Sequence, residues 1–90
     1  VMEKDASGTF VGSSFVFAPG RDFARFGLLM LNRGNWEGSQ VLSQEWVKFA
    51  VTPTPAAPIG QYGAQWWLNA GNKDNPADKL FPDLPNDAFY

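Results

Sequence analysis

Ser13 and Ser14 stand side by side after Gly12 and invite a nucleophile reading. A serine hydroxyl attacks a carbonyl only when a base takes its proton, and that base is commonly a histidine or a lysine. The chain has no His, and the residues three positions beyond the two serines are Val16 and Phe17, not lysine. A structural turn is the expectation for this pair. Asp22 and Arg25 are spaced to pair across one helical turn, which is a solvated contact worth a few tenths of a kcal/mol and no catalytic device. The chain has no Cys, so disulfides and thiolate metal sites are excluded. No metal site and no cofactor are expected. The remaining chemistry lies in the aromatic side chains, above all Trp36, Trp46, Trp66 and Trp67.

Those rings need elements to hold them. Ninety residues make at most one small domain, with a thin core of its own. The composition is that of a globular chain, 44% hydrophobic and 16% aromatic, which argues against disorder. It is a large apolar supply for so short a chain, as if some rings pack against something outside it. Net charge is −2, and the seven Lys and Arg are scattered from Lys4 to Lys79, so nucleic-acid binding is not expected. No apolar run approaches the roughly 20 residues that span a bilayer. No signal peptide is visible at Val1-Met2-Glu3-Lys4-Asp5. Both ends read as cuts within a longer chain.

Residues 5–9 (Asp-Ala-Ser-Gly-Thr) predict a turn, and Phe10 to Phe17 a strand made irregular by Gly12-Ser13-Ser14. Pro19 suits the first turn of a helix. From there to about Asn32 the periodicity predicts an amphipathic helix, with Phe23, Gly27, Met30 and Leu31 facing the body. Gly34 follows as a left-handed cap. Residues 35–42 predict a tight connection turning near Gly38-Ser39. Ser43 is placed to cap a short helix with Glu45 in its first turn and Trp46, Val47 and Ala50 on its inner face, ended by Pro53. Residues 52–60 are a proline-rich loop. Residues 62–69 alternate as a strand, with Tyr62, Ala64, Trp66 and Leu68 on one face and Gly63, Gln65, Trp67 and Asn69 on the other. Residues 70–88 form an Asn-, Asp- and Pro-rich loop.

Taken in order, Asp5–Ser14, the helix-opening Gly20-Arg-Asp-Phe-Ala-Arg-Phe-Gly-Leu-Leu-Met-Leu31, Gly34-Asn-Trp-Glu-Gly38, Val41-Leu-Ser-Gln-Glu-Trp-Val47 and Tyr62-Gly-Ala-Gln-Trp-Trp67 resemble β-lactamase-related serine hydrolases. That family includes class C β-lactamases, penicillin-binding-protein-like peptidases, esterases and nylon-oligomer hydrolases. One departure is visible: relatives often have Ser or Thr capping the first helix, where this chain has Ala18-Pro19-Gly20. The resemblance implies a mixed α/β (α+β) fold, an antiparallel sheet with packed helices. Residues 1–90 would be one segment of it, between a Tyr-x-Asn element and the C-terminal active-site strand.

The chemistry the resemblance implies is acyl transfer through a serine ester, on a small ester or amide substrate. It uses a Ser-x-x-Lys pair, the Tyr-x-Asn element and a C-terminal strand bearing Lys or His. None is in this chain. Ser7, Ser39 and Ser43 are followed three residues on by Phe10, Leu42 and Trp46, and Tyr62 is followed two on by Ala64. No residue here is therefore expected to be catalytic. The segment would supply scaffold, with Trp66, Trp67, Phe89 and Tyr90 as candidates to line a substrate cleft. The alternative is a non-catalytic module whose four tryptophans stack on a sugar or peptide. It expects several exposed rings on one face, whereas the periodicities put Trp46 inside and Trp66 beside Tyr62 and Leu68.

Overall fold

The structure, a computed structural model, describes residues 1–12 and 16–90. It is a small α+β arrangement: helix α1 (Gly20–Leu31), strands β1 (Asn35–Trp36) and β2 (Ser39–Gln40), and helix α2 (Gln44–Ala50). The Ser13-Ser14 pair and Phe15 lie outside the described residues.

The N-terminal stretch folds back on itself. Asp5 organises the expected turn, its carboxylate accepting from the backbone N–H of Ser7 and Thr9 at 2.8 and 2.9 Å, with Gly8 at φ 82°. Antiparallel bridges join Lys4 to Phe10 and Met2 to Val16. The bridged positions are two apart along one side and six apart along the other; the serines of the expected irregularity lie outside the described residues. Apart from Val11, the described residues of 1–18 are all exposed.

Helix α1 begins one residue later than a proline in the first turn would have it. Pro19 is the N-cap, with no side-chain capping bond, and its carbonyl accepts from Asp22 and Phe23 N–H. Asp22 stands in the first turn, where the helix dipole favours an anion. At the far end the N–H of Gly34 reaches Leu29 C=O at 2.8 Å and that of Arg33 reaches Met30 C=O at 3.0 Å. This is the paired closure of a Schellman motif. Its left-handed residue is Arg33 (φ 55°), with Gly34 following at φ 82°. A Cβ at Gly34 would run into the carbonyl of Leu42.

The expected face of α1 is only partly covered. Met30 is buried and Gly27 half-buried, but Phe23 is 52% and Leu31 67% exposed. Phe23 lies on nearly the same line as Met30, seven residues or about 10 Å earlier along the axis. The cover, Val47 and Ala50 of α2, reaches Met30 only. Leu31 is turned about 100° from Met30 and has nothing over it. Phe26, outside the expected stripe, stacks on Trp66 with centroids 5.4 Å apart.

β1 and β2 form a two-residue hairpin, Asn35 opposite Gln40 and Trp36 opposite Ser39. Glu37 and Gly38 carry the turn at φ 48° and 87°, the double left-handed conformation that suits a hairpin twist. The turn is one residue earlier than Gly38-Ser39. Helix α2 follows the expected plan at its cap, where Ser43 Oγ accepts from Trp46 N–H at 3.1 Å. Its buried residues are Val47 and Ala50. Trp46 is 53% exposed and leans on Phe49. The 46/49 stripe is rotated about 100° from the 47/50 stripe, so Trp46 is not an inner-face residue.

The core is small: Met30, Val47 and Ala50, with Leu42, Val51, Ala64, Trp66 and Phe89 packed around it. The chain exposes 6818 Å², against about 5200 Å² for a folded monomer of this mass. Its radius of gyration is 15.2 Å, against about 12 Å for a compact domain of this length. Both figures say that the chain is less compact than a folded monomer of its size, and Phe23, Leu31, Trp46 and Phe49 are among the apolar side chains left exposed.

Candidate functional site

The candidate rings hang from a knot of chain reversals after α2. Ala64 N–H binds the carbonyl of Ala50 at 3.0 Å, tying residues 62–67 to the helix end. Gly63 passes so close that a Cβ there would collide with the same carbonyl. The chain then reverses: Gly63 N–H bonds Trp66 C=O at 2.9 Å, and Gln65 takes φ 68°. Residues 62–69 are therefore not one strand. Tyr62 is bridged to Trp67 across the turn, and Leu68 to Phe89. The alternation of faces fails for the same reason: Tyr62 and Trp67, expected on opposite faces, meet edge to face at 5.1 Å.

Isolated antiparallel bridges thus join three stretches of chain. Trp67 and Tyr90 exchange both backbone hydrogen bonds at 2.9 Å, and Asn69 N–H donates to Ala88 C=O at 3.1 Å. Residues directly opposite in antiparallel pairs project to the same face. Tyr62, Trp67 and Tyr90 thus form one row, and Phe81 packs against Tyr90 at 5.4 Å. Trp67 is 50% and Tyr90 46% exposed. The opposite face carries Leu68, which is buried, and Phe89, half-buried. Phe89 meets Trp66 edge-on at 5.3 Å, and Trp66 is thereby held between Phe89 and Phe26.

The structure thus splits the four candidates. Trp66 and Phe89 are packed toward the core, and Trp67 and Tyr90 face outward. Of the four, only Phe89 lines the larger cleft found among the described residues, a space of about 720 Å³ between the end of α1, α2 and residues 86–89. Buried Met30, Val47 and Leu68 line it too, as do exposed Arg33, Glu45, Lys48 and Asp87. Trp36 sits beside a shallower cleft with Phe26 and Leu29. The tryptophans take different partners and do not form one platform.

Of the described serines, Ser43 caps α2 with its hydroxyl, Ser7 gives its backbone N–H to the Asp5 turn, and Ser39 stands in β2. The Asp22–Arg25 pair is present at 3.0 Å with both side chains half exposed, a contact worth little. Among the described residues no group of three or more His, Cys, Asp or Glu is placed to hold a metal. No described helix is long and apolar enough to cross a membrane.

Sequence reasoning passed over Asn69, Tyr62 and Phe81. Asn69 is 0% exposed. Its side chain gathers the loop that follows, with Nδ2 on the carbonyls of Phe81, Leu84 and Pro85 and Oδ1 on Phe81 N–H. The available signal was an asparagine directly after Leu68 and ahead of a long irregular segment, since a carboxamide can satisfy such backbone from within.

The chain is similar to a hydrolase. The 6-aminohexanoate-dimer hydrolase of Paenarthrobacter ureafaciens is 33% identical over 90 aligned positions, which take in 81% of this chain and 23% of that protein. The chain therefore spans less than a quarter of that relative's length. No protein-family model matches the chain, and no solved structure does.

Proposed function

We propose that residues 1–90 belong to a β-lactamase-related serine hydrolase domain, as the segment between its Tyr-x-Asn element and its C-terminal active-site strand. The domain would cleave a small ester or amide by acyl transfer through a serine ester. The observation that carries this is the 33% identity to a hydrolase along four-fifths of the chain. The uncovered area supports it, because a segment of a larger domain has neighbours to bury Phe23, Leu31, Trp46 and Phe49. In this role the segment is scaffold, and its two aromatic faces, Trp66 with Phe89 and Trp67 with Tyr90, are the candidates to line the substrate.

The test is to express the full-length reading frame that contains these residues. It is assayed with a chromogenic butyrate ester, a β-lactam and, given what the relative's name says of that protein, the linear dimer of 6-aminohexanoate. Turnover abolished by alanine at the serine of a Ser-x-x-Lys is expected, with none from the 90-residue chain. Hydrolysis by the 90-residue chain itself, above buffer, would contradict the proposal.

One observation favours the second reading, a non-catalytic module for sugar or peptide: the row of Tyr62, Trp67, Tyr90 and Phe81 is partly exposed on one face. The rings meet at 72° and 60°, which suits a flat stacking partner poorly. Saturable quenching of Trp fluorescence by an oligosaccharide or peptide, lost in Trp67→Ala, would support it.

A further inference from the structure

Asn69 is the largest fully buried side chain of the described residues, and all its polar atoms are engaged. Its Nδ2 lies 3.0 to 3.1 Å from the carbonyls of Phe81, Leu84 and Pro85, and its Oδ1 accepts from Phe81 N–H at 2.8 Å. Its own N–H donates to Ala88 C=O. One residue therefore grips the segment at Phe81, Leu84, Pro85 and Ala88. Phe81, held by both its N–H and its C=O, is the residue whose ring rests on Tyr90. Phe89 lies between, opposite Leu68, and lines the cleft.

We propose that Asn69 is a positioning residue: through the 81–90 segment it sets the place of Phe89, on the cleft side, and of Tyr90, on the outer side, as substrate contacts, without touching substrate itself. The substrate, a small ester or amide, rests on the hydrolase assignment proposed above. The geometry selects a carboxamide. A carboxylate of the same shape can only accept, and would face three carbonyl oxygens; an apolar side chain would leave those carbonyls and the Phe81 N–H unpaired.

The test is Asn69→Asp in the full-length protein, with a chromogenic butyrate ester. KM is expected to rise about tenfold or more, as for a small displacement of a substrate contact. kcat is expected to stay within about twofold, since the reacting groups lie elsewhere. KM of the variant should fall again as pH is lowered, because a buried carboxyl takes up a proton and regains one donor; wild-type KM should not show this recovery. A folded variant with wild-type KM at every pH would overturn the proposal. If Asn69→Asp does not accumulate folded, Phe81→Ala carries the test, since it removes the ring against Tyr90 and keeps the Asn69 bonds. Raised KM at constant kcat supports the proposal and unchanged KM overturns it. A wild-type protein that hydrolyses neither ester nor amide defeats the hydrolase assignment instead. The hold of Asn69 is then read by limited proteolysis of residues 70–87. Faster cutting of Asn69→Asp at high pH than at low supports it, and equal rates overturn it.

Discussion

Helix α1 has twelve residues of regular backbone and one buried side chain, Met30. Residues 60–90 have no helix and only isolated bridges, yet they enclose Leu68 and a fully buried asparagine. In the helix the interior backbone groups are satisfied locally, so the element can form without deciding what covers it. In the loop the backbone has no such repeat. It is closed by side-chain amides: Asn69 on residues 81–85, and Asn86 on the carbonyls of Ala70 and Pro76. Regular structure is thus no measure of how much of a segment's packing lies within this chain. The helix leaves most of its apolar side chains exposed, and the loop, exposed at Leu80, Phe81 and Leu84 as well, encloses Leu68 and Asn69 through its own contacts.

Substitutions can break or sharpen that contrast. The largest effect is expected at Phe23, if the rest of a hydrolase domain covers α1. Phe23→Ala in the full-length protein should then cost about 3–5 kcal/mol in urea unfolding, as for a buried phenylalanine. A cost below about 0.5 kcal/mol would mean that the exposure seen here persists in the whole protein. Asn69→Leu should cost about 3 kcal/mol in the same measurement, because buried carbonyls and an N–H lose their partner. A neutral result would show that water or a small shift replaces the carboxamide.

How much of this was legible beforehand follows from the same contrast. Both helices, the Asp5 turn and the Ser43 cap were readable, since each depends on residues within a few positions of one another. The azimuth of α1 was right for Met30 and Gly27, but periodicity reports only which residues share a line. That Phe23, two turns earlier, lacks cover depends on how short α2 is. Trp46 shows the same limit in a helix where a shift of one position changes the face. The strand over 62–69 failed because alternation alone does not register a reversal. Gly63 and Gln65 at φ 68° turn the chain there, and glutamine is no turn signal. Of the candidate site, Trp66, Trp67, Phe89 and Tyr90 do come together in one patch. Their division between inner and outer faces came only with the pairing of 67–69 with 88–90, which the 18 intervening residues conceal.

Smaller effects separate local from non-local causes. Gly34→Ala should cost about 1–3 kcal/mol, since it meets the Leu42 carbonyl and must hold a positive φ. A gain in thermal midpoint would mean that the α1 exit relaxes freely. Ser43→Ala should cost about 1 kcal/mol, the ordinary loss of a helix cap, read as a lower denaturation midpoint with unchanged slope.

In the proposed hydrolase domain, other parts of the protein would cover the apolar surface these residues leave at Phe23, Leu31, Trp46 and Phe49. The excess exposure of about 1600 Å² over a compact monomer is comparable with a whole protein interface, and the chain has no disulfide to offset it. The most direct measurement is urea unfolding of the 90-residue chain at low concentration, followed by Trp fluorescence, with its mass in solution checked alongside. A broad change without a cooperative midpoint, and weak near-ultraviolet dichroism despite four tryptophans, is the expected result. A sharp, concentration-independent transition from a monomer would contradict it and make the chain an independent module.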